Sequence, residues 1–299
     1  MKKVLITGSN GLLGQTLVNL LLLEKNTYNV VGFSRGKNRS DRNDFEYVSI
    51  DITNKVSFFE ALNNNRPDVI VNTAAMTNVD ACEDDKAACD ILNVDVVENL
   101  IFFSAKNNIH LIHLSTDFIF DGKNGPYKET DTPNPLNYYG LSKLKSENIL
   151  KASKIEYTIL RTILVYGKIF DMKRSNIVLW VKKSLEEKKE ISIVNDQYRM
   201  PTYVEDLAVA CKLAIDKKVT GIFNISSNQL LSIYEIAQQV AAVFHLDKNL
   251  INSISTKELA QKAVRPSVTG FDLNKTNKIL NFYPKSFKES LQDFKGKLT

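Results

Sequence analysis

The sequence predicts a doubly wound α/β fold, with a parallel sheet covered by helices on both faces and a smaller C-terminal α/β lobe interleaved with the last units of the sheet. Three observations carry this. Short β-branched runs alternate with helical patterns. The strand candidates are near-continuous apolar runs rather than alternating ones, as in sheets buried on both faces. A glycine-rich turn joins the first strand to the first helix. Taken in order, the strands fall at residues 3–7, 30–34, 47–50, 69–72, 110–115, 158–161 and 221–226, and helical stretches at 12–25, 56–64, 87–106 and 139–152 lie between them. After Tyr166 the pattern loosens: a helix at 175–187, a short strand at 191–194, a loop, helices at 204–216 and 233–244, then a tail from Asp247 broken at Arg265-Pro266. This divides the chain into a nucleotide-binding domain, 1–166, to which 204–226 return, and a second lobe made of 167–203 and 227–299.

Composition narrows the function classes. The 299 residues, 43% hydrophobic and 24% charged, suit one large globular domain or a domain with a small lobe. Basic residues number 39 against 34 acidic ones, a net charge of +5. The positives are scattered. Lys182, Lys183, Lys188 and Lys189 sit on one amphipathic helix and read as a solvated face, which argues against nucleic acid as a partner. The MKKVLITG start lacks the apolar region and cleavage site of a signal peptide, and the apolar stretch at 17–23 is broken by Asn19 and followed by Glu24, so no membrane association is expected. Cys82, Cys89 and Cys211 are odd in number and lack metal-ligand spacing, and the seven-residue separation of the first two puts them on one helical face as core. A cytoplasmic protein with no metal site is the expectation.

The turn Gly8-Ser9-Asn10-Gly11-Leu12-Leu13-Gly14 places glycines at relative positions 1, 4 and 7. Gly8 serves the tight turn, Gly11 lets backbone approach a pyrophosphate, and Gly14 allows close helix packing, while the helix N-terminus offers amide donors and a positive dipole end. The second strand ends at Ser34-Arg35, with Lys37 and Arg39 beyond and no acid to hold a ribose 2′-hydroxyl. Ser34 and Arg35 suit a 2′-phosphate, so NADP is the expected cofactor, with NAD as the alternative. Asp51-Ile52 after the third strand and Thr73-Ala74-Ala75 after the fourth complete a Rossmann-type cofactor cleft.

Tyr139-Gly140-Leu141-Ser142-Lys143 opens a helix, and the spacing of four puts Tyr139 and Lys143 on one face. An ammonium beside a phenol favours phenolate and makes tyrosine a usable acid or base. Lys143 also suits ribose hydroxyls. The fifth strand ends at Ser115-Thr116-Asp117, where a hydroxyl at the carboxyl end points into the crevice and can stabilise a developing oxyanion; spacing does not decide between Ser115 and Thr116. Tyr138 reads as packing, and His110, His113 and His245 as structural histidines.

Together these residues resemble the extended short-chain dehydrogenases, and within them the dTDP-4-dehydrorhamnose reductases. The resemblance rests on Arg66-Pro67-Asp68-Val69-Ile70-Val71-Asn72, Thr77-Asn78-Val79-Asp80-Ala81-Cys82-Glu83, Ser115-Thr116-Asp117, Phe120-Asp121-Gly122, Tyr127-Lys128-Glu129-Thr130-Asp131 and the run from Pro135 to Lys143. Asn195-Asp196-Gln197-Tyr198, Pro201-Thr202 and Arg265-Pro266 extend it over nearly the whole chain. It implies NADP(H)-dependent reduction of the 4-keto group of a deoxysugar nucleotide, dTDP-4-dehydrorhamnose to dTDP-L-rhamnose. It also implies Thr116, Tyr139 and Lys143 as the catalytic set and substrate contacts at Thr116 and Asp117. Arg199 and Arg265, each on a loop beside a proline, are cations suited to the diphosphate. A nucleotide sugar is the expected partner, and a homodimer is compatible with the pattern. Two positions depart from the family: Ile163-Leu164 replace a common Ser-Trp, and Arg199-Met200 stand where a small residue is common. The second loop looks like that of a non-catalytic relative, the regulatory β-subunit of methionine adenosyltransferase. A cofactor-binding regulator and a sugar-nucleotide epimerase are therefore the competing expectations.

Overall fold

The computed structural model describes residues 1–168, 170–171, 176–259 and 261–298. Seven strands form one parallel sheet: β1 (Lys2–Thr7), β2 (Tyr28–Ser34), β3 (Glu46–Ser49), β4 (Val69–Asn72), β5 (His110–Thr116), β6 (Tyr157–Thr162) and, after two short strands of the second lobe, β9 (Gly221–Ile225). Their order is β3-β2-β1-β4-β5-β6-β9. The strand order reverses between β1 and β4, so their carboxyl ends flank the switch-point crevice where ligands of such sheets sit. The continuous apolar runs are explained by burial on both faces: all seven residues of β5 are buried.

One face is covered by α1 (Leu12–Leu21) and α8 (Val204–Lys217), with Leu17, Val18, Leu207 and Cys211 in its core. The other is covered by α2 (Lys55–Asn65), α5 (Val96–Asn107) and α6 (Tyr138–Ala152), around Phe33, Phe58, Leu100 and Leu150. Between β4 and α5 lie two short helices, α3 (Val79–Asp84) and α4 (Lys86–Asp90). The single helix expected at 87–106 is interrupted: a π turn at Ile91–Asp95 separates α4 from α5. Asn93, within that turn, is buried and uses its amide to hold the loop after β4. Its Oδ1 accepts from Met76 N at 2.8 Å, and its Nδ2 donates to Met76 O at 3.1 Å and to Ser142 Oγ at 2.9 Å. A π turn swings one side chain out of the regular helical register, and such turns gather at functional sites. Cys82 and Cys89 are buried as expected, but on α3 and α4 rather than on one face of one helix.

The second lobe contains α7 (Ile177–Glu186), β7 (Ile191–Val194), β8 (Tyr198–Arg199), β10 (Leu231–Ser232), α9 (Ile233–Phe244), β11 (Ile251–Ile254), α10 (Thr256–Leu259), β12 (Val268–Thr269), α11 (Asn274–Leu280) and α12 (Phe287–Leu298). The first residue of the helix expected at 175–187 lies outside the described residues. Strand β7 pairs with β11, and β8 is flanked by β10 and β12. Helices α7, α9 and α12 pack around Val181, Val240 and Phe294. A small cluster including Ile119, Phe120, Ile163 and Met200 joins this lobe to the end of β5, so the lobe is fixed directly beside the sheet's carboxyl edge.

Candidate active site

At the turn after β1, Gly8 has φ +68°, and a Cβ there would meet Ala74 N at 2.9 Å. At Gly14 an added Cβ would lie 2.3 Å from Gly8 O, so only glycine lets α1 close onto the turn. Gly11 caps α1 without a side-chain hydrogen bond, which leaves the first-turn amides at Leu12 and Leu13 unclaimed by any side chain. This is a helix end that presents donors and positive dipole to an anion.

A cleft of about 460 Å³ opens from this turn. It is lined by Gly8, Asn10, Gly11, Ser34, Arg35, Arg39, Asp51, Ile52, Thr73, Ala74 and Ala75, among others. The cofactor residues expected at the ends of the first four strands line this cleft, apart from Leu12, Leu13 and Gly14, which build the helix start behind the turn; Tyr139 and Lys143, also expected at the cofactor, are not among its lining residues. Asn10 works on the loop rather than on the cleft alone. Its Nδ2 donates to the carbonyls of Arg35 (3.3 Å) and Lys37 (3.0 Å) and to the Tyr47 hydroxyl (2.9 Å), while its Oδ1 accepts from Arg39 N (2.9 Å). The basic loop after β2 is therefore pinned to the glycine turn, and Arg39 joins Arg35 on the cleft wall. Sequence reasoning placed Arg39 near the strand end but gave it no role. Asp51 turns its carboxylate onto Thr53, accepting from its N (3.0 Å) and Oγ1 (2.7 Å), and those bonds, with the charge of Arg35, hold it below the usual carboxylate range.

The start of α6 is fixed from three sides. Asn137 caps it by accepting from Gly140 N at 2.9 Å and donates to Val264 O at 2.8 Å, and Glu83 Oε1 accepts from Tyr138 N at 2.6 Å. Tyr138, expected as packing, places its hydroxyl on Asp90 at 2.7 Å with Lys86 and Lys145 against its ring. Tyr139 is half-buried, its ring edge-on to Phe118 at 6.1 Å. Desolvation pushes its phenol above the ordinary range, a hydrogen bond with Thr116 opposes that, and the Asp117 charge adds to it. Thr116 is thus the hydroxyl at the tyrosine, whereas Ser115 points the other way, donating to Glu147 Oε1 at 2.6 Å. This resolves the choice that spacing left open. Lys143 is buried, and desolvation pulls its ammonium down to about 8, opposed by the charge of Glu147.

Glu147 is buried with Arg161, from which it accepts at Oε1 (2.9 Å from Nε) and Oε2 (2.7 Å from Nη2). Burial works against its charge, but Arg161, Ser115 and Lys151 hold its carboxyl below the usual range. Asp117 is buried too. It accepts from Thr116 Oγ1 at 3.1 Å and from Thr269 on β12, and the Arg199 guanidinium lies 3.8 Å away. Burial pushes its carboxyl upward, with Arg199 and Thr269 opposing.

Arg199 is itself buried and donates to the carbonyls of Tyr198 (2.7 Å), Pro266 (2.8 Å) and Ser267 (3.2 Å), its guanidinium over the Phe118 ring. It braces the end of β5 against the second lobe. Arg265 grips Asp80 with both terminal nitrogens, at 3.1 and 2.7 Å. Leu164, where the family pattern carries tryptophan, has φ +41° and packs in the apolar cluster beside Ile163. No cluster of potential metal ligands occurs among the described residues, and no described helix is long and apolar enough to cross a membrane.

A glycine turn opening onto a helix N-terminus at the switch point of a parallel sheet, together with Thr116 at the end of β5 and Tyr139 and Lys143 at the start of α6, defines the class: an extended short-chain dehydrogenase/reductase. The family described as the RmlD substrate binding domain matches residues 1–299, and the chain belongs to that family. It is 30% identical over 308 residues to a dTDP-4-dehydrorhamnose reductase of Aggregatibacter actinomycetemcomitans, covering 99% of each chain. It is 33% identical over 259 residues to the methionine adenosyltransferase 2 subunit beta of Bos taurus, covering 85% of this chain and 75% of that one. Among solved structures, a dTDP-4-dehydrorhamnose reductase from Bacillus anthracis, in complex with NADP, superposes with a TM-score of 0.87 at 30% identity, covering 99% of this chain and 100% of that one.

Proposed function

We propose that the chain is an NADPH-dependent reductase of the 4-keto group of a deoxysugar nucleotide, with dTDP-4-dehydrorhamnose as its substrate and dTDP-L-rhamnose as its product. The observation that carries the proposal is the Thr116–Tyr139–Lys143 set at the carboxyl edge of the sheet, beside a cleft whose glycine turn fits a dinucleotide. A Cβ at Gly8 or Gly14 would collide with the chain's own backbone, so only glycine at these positions lets the turn and the start of α1 close into the form that offers its amides to a pyrophosphate.

In this reading the α1 N-terminus takes the pyrophosphate, Ser34, Arg35 and Arg39 take the 2′-phosphate, and Lys143 takes ribose hydroxyls. NADPH, when bound, supplies the hydride for C4. Thr116 holds the substrate carbonyl oxygen and Tyr139 protonates it. The raised phenol pKa keeps Tyr139 protonated, as a proton donor in the reducing direction must be, until the ammonium of Lys143 helps the phenolate form. Asp117 holds Thr116 in place, and Arg199 and Thr269 of the second lobe hold Asp117. Arg265 meets the sugar diphosphate by exchanging its Asp80 pair for a phosphate. NADH is the alternative cofactor.

A second reading has a specific observation behind it. Ile163-Leu164 and the buried Arg199 depart from the reductase pattern, and the chain is as similar to a regulatory methionine adenosyltransferase subunit as to a reductase. That reading makes the chain a cofactor-binding regulator without turnover. A panel of 4-keto deoxysugars on dTDP, UDP and GDP, mixed with protein and NADPH while nicotinamide absorbance is followed, separates the two. Turnover on any member supports the reductase; NADPH binding with no turnover on the whole panel supports the regulator.

A further inference from the structure

Beneath the proposed catalytic lysine lies a histidine that the mechanism above does not use. His113, in the middle of β5, is buried, and its Nε2 is 3.0 Å from Lys143 Nζ and 3.1 Å from Ser146 Oγ. Its Nδ1 is 3.1 Å from the Asn72 side-chain amide at the end of β4, and Asn72 in turn accepts from Thr7 Oγ1 at 2.6 Å. Ser146 closes the ring of contacts by donating to Lys143 O at 2.7 Å. Three strands and one helix thus contribute to one chain of hydrogen bonds that ends on the lysine. We propose that His113 is a positioning residue that keeps Lys143 hydrogen-bonded in both its charged and its neutral form, through a change of ring tautomer.

The donor count makes the case. An ammonium has three donors and no acceptor, and a neutral imidazole has one of each. When Lys143 is charged, Nε2 must accept, so Nδ1 carries the proton and meets the oxygen of Asn72. When Lys143 is neutral, Nε2–H can donate to the amine, and Nδ1 accepts from Asn72 Nδ2, which is the orientation in the structure. A half-turn of one amide exchanges the two arrangements, and the hydroxyls of Thr7 and Ser146 serve as donor or acceptor in either. His113 itself stays neutral: desolvation, with the Lys143 charge, holds its pKa well below the ordinary value. One ammonium N–H on His113 also leaves two for the two hydroxyls of a ribose.

The other ionisable groups facing Lys143 are few. Glu147 on α6 favours its charge but is already matched by Arg161; Tyr139, one turn earlier on the same face of α6, is kept protonated by desolvation and carries no charge; and Cys89 on α4 is a buried thiol. Burial therefore dominates, and the Nε2 acceptor is the contact that keeps an ammonium tolerable there. Removing that acceptor penalises the charged form more than the neutral one, because hydrogen bonds to charged groups are the stronger. The lysine pKa must then fall further.

The inference rests on the reductase reading for what Lys143 does, but not for how it titrates, so the test reads titration directly. Full-length protein carrying 13Cε-lysine is titrated by NMR, and the Lys143 resonance is assigned as the one absent from K143R. Wild type should titrate near pH 8. H113F should titrate lower by about one unit, a tenfold change in the proton equilibrium. H113Q, whose amide offers a donor and an acceptor, should return most of the way to wild type, which a purely steric role for the ring would not predict. If H113F does not fold, Asn72→Leu leaves the ring in place but strips the acceptor that Nδ1–H needs, and it should move Lys143 in the same direction. An unshifted Lys143 in a folded H113F or Asn72→Leu, or an equal shift in H113F and H113Q, overturns the proposal. NADPH binding by the same wild-type sample is followed by fluorescence; its failure would count against the cofactor reading and leave the lysine titration to judge His113.

Discussion

Replacing Arg35 by alanine tests how the cleft selects its cofactor. No acid stands at the end of β2, and Arg35 and Arg39 share the cleft wall beside Ser34. A charge-assisted hydrogen bond to a phosphate is worth about 1.5–3 kcal/mol. Arg35 is exposed and its charge is also felt by Asp51, so solvent screening and that competing carboxylate bring its share to the lower end. Arg35→Ala should therefore weaken NADPH by roughly tenfold, since about 1.4 kcal/mol is a factor of ten. Arg39 is half-buried, and Asn10 fixes its backbone. The double variant should lose more NADPH affinity than Arg35→Ala alone, but the two losses should not simply sum, because both side chains share one phosphate. NADH, which lacks the phosphate, should change less than about twofold, and the NADPH loss should shrink in high salt. Fluorescence titration of both cofactors at two ionic strengths reads all of this. Equal losses for NADPH and NADH, or no loss for either, would refute the reasoning and leave both arginines as solvated loop residues.

Three further outcomes are expected. Gly14→Ala should abolish measurable NADPH binding or lower the melting temperature, because its Cβ would lie 2.3 Å from Gly8 O and overpacking at an unyielding backbone costs about 1–3 kcal/mol or more; calorimetry with and without cofactor distinguishes the two. Glu147→Gln should destabilise the fold by about 3–5 kcal/mol in urea denaturation, since it strands the buried Arg161 guanidinium. Because the Glu147 pKa is depressed in the folded state, its wild-type contribution is present above the unfolded value of 4.5 and is lost as pH falls through the lower folded value, so the difference between wild type and variant should narrow only on acidification. Arg265→Lys should raise KM for the nucleotide sugar and leave NADPH affinity unchanged, because lysine cannot chelate two phosphate oxygens as arginine does; steady-state kinetics with each ligand varied in turn checks this.

Much of this architecture was legible from local sequence. The glycine spacing and the acid-free end of β2 are short-range signals, and both fall on the cleft wall; the Tyr139–Lys143 spacing is another, at the start of α6. Most boundaries moved by a residue or two, as helix and strand ends do, while the first helix, expected to run to Lys25, ends at Leu21. What local pattern could not supply were long-range contacts. The short strands β8, β10 and β12 exist only through pairing with one another, and two residues carry no periodicity. The π turn at Asn93 depends on backbone groups of a loop seventeen residues earlier in sequence. Arg199 reads as a loop cation, but Asp117 and three carbonyls take it into the interior. His113 reads as a structural histidine on a buried strand. The available signal was its alternation with Ser115 on one face of β5, opposite Lys143, Ser146 and Glu147 on one face of α6, two polar stripes that only a shared network makes affordable in a core.

The central claim is that this cleft reduces a 4-keto sugar nucleotide with Tyr139 as proton donor. Its most direct test is the rate of nicotinamide absorbance loss when NADPH and dTDP-4-keto-6-deoxy-L-mannose are mixed with wild type and with Tyr139→Phe. Substrate-dependent oxidation of NADPH by wild type, reduced by roughly 10²–10⁴-fold in a variant that still binds NADPH, is the predicted result. No oxidation by a folded, NADPH-binding wild type, or equal rates for both proteins, would contradict it.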